Sequence, residues 1–114
     1  MIAKAAIENI LEQYKKHGWQ LSRVLLTGRL KAALPEPQLL FGNIAIRPSD
    51  LDAAWFSRPS RPGTVAWEIR HLSDNPFAFV VGVNDGADAA EREAILLDAE
   101  ERLRTASKRR PIAH

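Results

Sequence analysis

Apolar positions between residues 2 and 17 recur at helical spacing, with Ala3, Ile7, Ile10, Leu11 and Tyr14 interleaved by Lys4, Glu8, Glu12, Lys15 and Lys16 on other faces. The spacing predicts an amphipathic helix, supported by the Glu12–Lys16 i,i+4 pair and ended by Gly18, which adopts a left-handed C′ conformation at no steric cost. The pattern then changes. Trp19 to Leu26 reads as a strand whose Val24-Leu25-Leu26 run suits a buried position. Thr27 is placed to cap a short helix carrying Leu30, Ala33 and Leu34, which Pro35 and Pro37 stop. Gln38 to Phe41 adds a further helical turn before the Gly42-Asn43 turn signal, and Ile44-Ala45-Ile46 reads as a short strand. Ser49-x-x-Asp52 has the spacing of a capping box, predicting a brief helix over Asp50 to Ala54.

Strand-like alternation dominates the centre. Pro59-Ser60-Arg61-Pro62-Gly63 is a turn, and from Thr64 to Leu72 the residues alternate. Val65, Trp67, Ile69 and His71 share one face; Thr64, Ala66, Glu68 and Arg70 share the other. After the turn at residues 73–76, Phe77 to Val83 forms a second strand, antiparallel to the first because the connection is so short. A long helix follows over about residues 87–107, with Leu96, Ala99, Leu103 and Ala106 as its apolar stripe. The expected fold is α+β: a small, mostly antiparallel sheet of three to four strands packed by an N-terminal helix and a long C-terminal helix, in one domain spanning residues 1–114.

Composition narrows the chemistry. Cysteine is absent, so disulfides, thiolate metal sites and cysteine nucleophiles are excluded. Sixteen Lys and Arg against fourteen Asp and Glu leave a formal charge of +2, too slight to mark a nucleic-acid binder. That total is a cancellation of unequal parts. Asp85 to Glu101 holds seven acids and one base, and Arg102 to Arg110 holds five bases and no acid, a polarity that complements a helix dipole. The basic tail Ser107-Lys108-Arg109-Arg110 therefore reads as a solvated helix end; it lacks the interleaved aromatics of a nucleic-acid surface. No apolar run approaches the roughly 20 residues of a membrane span, and no secretory signal pattern is present, so a cytoplasmic protein is expected. The six glycines are scattered with no G-x-G pair, which argues against dinucleotide or P-loop chemistry.

The most unusual local feature is a set of three Arg-Pro pairs within seventeen residues: Arg47-Pro48, Arg58-Pro59 and Arg61-Pro62. Proline restricts the loop that carries each guanidinium, and with Arg70 nearby the four arginines would make a fork array for phosphate or carboxylate. The plainer expectation is that they pair with Asp50, Asp52, Glu68 and Asp74, since residues 47–83 hold four bases and four acids. Asp50 or Asp52 followed by Glu68-x-Arg70 is a loose echo of a Mg²⁺ nuclease pattern, but an arginine stays protonated and cannot act as a base. His71, on an apolar strand face, reads first as a satisfied core residue and otherwise as an acid–base group oriented by Asp74. His17 suits a helix C-terminus and His114 is terminal; no spacing suggests a metal site, and no cofactor is expected. Trp55-Phe56, adjacent on a strand, must point to opposite faces; the first reading is that both belong to the core, and the other is that one of them lines a groove or interface.

No motif assigns a reaction. The expectation is a small binding or association domain without catalysis, forming a homodimer through the Trp55–Gly63 region with Arg47 and Arg70. The alternative is an anion-recognising or catalytic site for a small ligand in the same region, built from Arg47, Arg58, Arg61 and Arg70 with Glu68 and His71.

Overall fold

A computed structural model of the chain describes residues 2–75 and 77–108. Arg109, Arg110 and His114, and with them part of the basic tail, lie outside the described residues. The elements in order are α1 (Lys4–Lys16), β1 (Gln20–Leu26), α2 (Gly28–Ala33), α3 (Pro37–Phe41), β2 (Ile46–Pro48), β3 (Ala53–Pro59), β4 (Thr64–His71), β5 (Ala78–Asn84) and α4 (Ala89–Lys108). The five strands form one sheet in the order β2-β1-β3-β4-β5. Only β1 and β2 run parallel; the other three pairings are antiparallel. The architecture is the expected α+β arrangement with one strand more than the three to four foreseen.

Central β3 explains why both of its adjacent aromatics are inside. Trp55 is wholly buried in the core that α4 closes with Leu96, Ala99 and Leu103. Phe56, one residue on, is buried in the other core with Ile7 and Ile10 of α1 and Leu30 of α2. A strand with a layer on each face has no solvent side, so period-2 alternation distributes Trp55 and Phe56 between two cores. On β4 the predicted alternation holds: Ile69 and Trp67 pack toward α4, and Glu68 reaches Tyr14 of α1.

The predicted helix over Asp50–Ala54 does not form; β3 begins at Ala53. Ser49 does accept a hydrogen bond from the nearby Leu51 N–H (3.1 Å), but Asp52 turns away to Thr27, taking its N–H at 2.7 Å. Thr27 in turn caps α2 by accepting from Leu30 N–H at 3.1 Å. Asp52 thus braces the start of another element, α2, while Ser49 serves only its own turn. The short strand expected at 44–46 forms two residues later, at Ile46–Pro48, where Pro48 is tolerated because β2 is an edge.

A β-bulge at Ser22 re-aims β1. Leu21 pairs with Phe56 and Arg23 with Trp55, so the intervening residue is extra. In a regular strand Leu21 and Arg23, two residues apart, would share a face. With it, Leu21 joins the α1 core while Arg23 crosses to the α4 side.

Candidate functional site

The four arginines of the predicted array are held by four different local environments. Arg47 pairs in register with Leu25, a residue of the α4 core, and sits 3.8 Å from Glu93 of α4. Arg58 is on the opposite side of the sheet, donating to the His17 carbonyl at 2.7 Å with its guanidinium 4.6 Å from the centre of the Trp19 ring. A cation at the last carbonyls of α1 satisfies the negative end of that helix. Arg70 braces the β4–β5 turn, donating to the carbonyls of His71 (2.5 Å) and Asn75 (3.3 Å). Through the β3 register it lies four residues from Arg58, about 13 Å along the strand. Arg61 is exposed in the β3–β4 turn, where its carbonyl accepts from Thr64 N–H and Gly63 takes the left-handed φ of 80° that closes the loop. The sheet separates Arg47 from Arg58 and Arg70, so the four do not converge on one pocket.

Glu68 and His71 are likewise separated. Glu68 accepts a hydrogen bond from the Tyr14 hydroxyl, and Tyr14 stacks on Phe56 with ring centres 3.9 Å apart. Burial, reinforced by the Glu68 carboxylate, raises the Tyr14 pKa well above its ordinary value. His71 looks the other way, with its Nδ1 3.0 Å from the Ser73 hydroxyl rather than on Asp74. It borders a hollow of about 310 Å³ shared with Arg29, Asp52 and Asp74. The carboxylates of the nuclease-like spacing are also apart: Asp50 pairs with Arg104 at 2.9 Å, and Asp52 caps Thr27. Among the described residues no cluster of His, Asp and Glu could hold a metal ion. No described helix is long and apolar enough to cross a membrane.

Two charged groups that sequence reasoning passed over do more than the Arg-Pro set. Arg23 grips Glu93 with both terminal nitrogens, at 3.2 and 2.6 Å, which holds the Glu93 carboxyl below the usual range. Its signal lay in the failed alternation of Leu21, Val24 and Leu26, which marks the bulge. Glu100 is buried among the apolar residues of α4 and accepts the Trp55 indole N–H at 2.8 Å. It sits one residue from Ala99, inside the predicted stripe, and that placement was its signal.

The two edges of the sheet differ in kind. The β2 edge is three residues long and carries Arg47 and Pro48, both of which oppose strand pairing. The β5 edge, Ala78-Phe79-Val80-Val81-Gly82-Val83-Asn84, has no charge, no proline and no register shift against β4. His71 N–H bonds the Phe77 carbonyl, and Asp85 N–H bonds that of Gly63. This assigns the odd-numbered positions of β5 to β4, so the N–H and C=O groups of Ala78, Val80 and Gly82 point off the open edge. Val80 is 60% exposed. Beside this edge, Phe79 and the α4 residues Asp98, Glu101, Arg102 and Ala106 border a hollow of about 370 Å³. Comparison with protein-family models, with curated proteins and with solved structures gives no match to this chain.

Proposed function

We propose that this domain is an association module that forms a homodimer by pairing β5 with β5 of a second copy. The observation that carries the reading is the open β5 edge, uncharged and unbroken where the opposite edge is guarded. Antiparallel pairing centred on Val80 sets Val80 against its own copy and Ala78 against Gly82. All three are positions whose backbone groups face outward. The match is self-complementary, as a two-fold interface requires. Their side chains are small, so none of the three obstructs the approach. On the α4 side the two Phe79 hollows meet, with Asp98 and Arg102 of each helix brought toward those of the other. A stable dimer buries roughly 800 Å² per partner, more than one strand edge supplies, so the α4 flank is part of the interface. The proposed interface is built on β5 and the α4 flank, in place of the Trp55–Gly63 region with Arg47 and Arg70 that the sequence alone suggested.

Sedimentation across a concentration series tests this. The wild-type chain should pass from monomer to dimer, and Val80→Lys should remain monomeric because it opposes two like charges directly. An equimolar mixture of Val80→Lys and Val80→Glu should dimerise again. A wild-type chain that stays monomeric at high concentration, or a mixture that does not associate while each variant is folded, overturns the reading.

A further inference from the structure

Between the C-terminal half of α1, the start of β1 and α3 lies a cavity of about 490 Å³, within the range of small-molecule sites. Its lining is mostly apolar and aromatic: Leu11, Trp19, Leu21 and Leu40, with the buried rings of Phe41 and Phe56. Leu39 stands at the same opening, 81% exposed. Lys15 is the one charged side chain on that lining, and Gln20 is the other long polar one. Among the described residues Lys15 forms no ion pair, whereas Lys4 on the same helix is paired with Glu8. An apolar chamber with a single unpaired cation has the charge and shape to take an apolar body ending in an anion.

We infer that this cavity binds a small amphiphilic monocarboxylate, an acyl or aryl acid, with its body against Trp19, Leu40 and Phe56 and its carboxylate on the Lys15 ammonium. A single charge fits better than two. Glu12 lines the adjoining hollow beside Lys15, together with Leu11, Leu39, Leu40 and the Lys4-paired Glu8, and its carboxylate disfavours a second negative group there. The Gln20 amide is available to donate to the same carboxylate or to an ether or hydroxyl beside it. This site is on the α1 side of the sheet and away from β5, so it is independent of the dimer.

The probes are decanoate and decanol, alike in their apolar chain and different in charge, titrated into the full chain and followed by the indole N–H resonance of Trp19 and by calorimetry. Decanoate should bind saturably below about 1 mM. Decanol should bind about fivefold more weakly, the size expected of one partly exposed ion pair. Lys15→Gln should remove that preference while leaving decanol binding in place, and Leu40→Asp should weaken both. The inference is overturned if neither probe binds, if decanoate shows no advantage over decanol, if the preference survives Lys15→Gln, or if the shifted resonances lie away from Trp19.

Discussion

Replacing Trp55 with Phe should be among the most damaging single changes in this chain, and the structure says how much of the damage is polar. Trp55 is fully buried, packs edge-on against Trp67 with ring centres 6.1 Å apart, and donates its indole N–H to Glu100, itself only 7% exposed. A hydrogen bond to a charged group contributes about 1.5–3 kcal/mol. Shrinking indole to phenyl adds about 1 kcal/mol for the space left behind. Trp55→Phe should therefore cost about 3 kcal/mol, a large share of the roughly 5–15 kcal/mol that holds a domain of this kind together. At about 4 °C per kcal/mol for a chain of this length, the melting temperature should fall by roughly 12 °C. The assay is urea denaturation of wild type, Trp55→Phe, Glu100→Met and the double variant, compared as a cycle. Much of the cost arises because a buried carboxylate loses its donor, so adding Glu100→Met to Trp55→Phe should recover about 1–2 kcal/mol. A Trp55→Phe cost under about 1 kcal/mol, or no recovery in the double variant, would refute the reasoning.

Two further outcomes follow from the raised and lowered titrations. Tyr14 is the only tyrosine in the chain, and its folded pKa is raised, so the stability it lends is fully present below about pH 10 and is lost as pH rises through the folded value. Tyrosinate absorbance should stay silent above pH 10 while circular dichroism reports a folded protein; a normal tyrosinate titration in the folded state would contradict the burial of Tyr14 against Glu68. For Glu93 the sign is reversed. Its folded pKa is lowered, so its contribution is present above the unfolded value of about 4.3 and is lost as pH falls through the folded one. Arg23→Met should lower stability at neutral pH by roughly 1–2 kcal/mol and flatten the acid limb, whereas an unchanged acid limb would mean that Glu93 is held by something other than Arg23.

Much of the fold was legible because its signals are local. The period of 3.6 in α1 and α4, the alternation along β4, Thr27 as a cap and the short β4–β5 turn each depend on residues a few positions apart. Most of the failures have one cause: a side chain whose partner is distant in sequence. Asp52 matched a cap for residues that follow it, but its hydrogen bonds go to Thr27, twenty-five positions back. The preference for Trp55 and Phe56 as core residues holds, but that each lies in a separate core depends on β3 being central in the sheet, which the local pattern does not carry. The Arg-Pro repeats are conspicuous in a line of letters. In space Arg58 serves the end of α1 and Arg70 serves its own turn. Polar contacts that join layers, Arg23 on Glu93 and Trp55 on Glu100, are spaced by 70 and 45 residues and leave only a phase irregularity or an acid in an apolar stripe as a trace.

The unlike edges of the sheet carry a consequence for stoichiometry. A sheet with two inviting edges is bifunctional in the sense used for monomers in polymer chemistry: every coupling leaves another reactive end, and growth continues into a fibre. Among the described strands, the three-residue β2 with its Arg47 and Pro48 has the character of a terminator, and β5 that of a reactive end. In the proposed dimer, a coupling of β5 to β5 would consume both reactive ends and leave two terminators outermost. Growth would then have nowhere to go, and the proposed product would be finite at two copies.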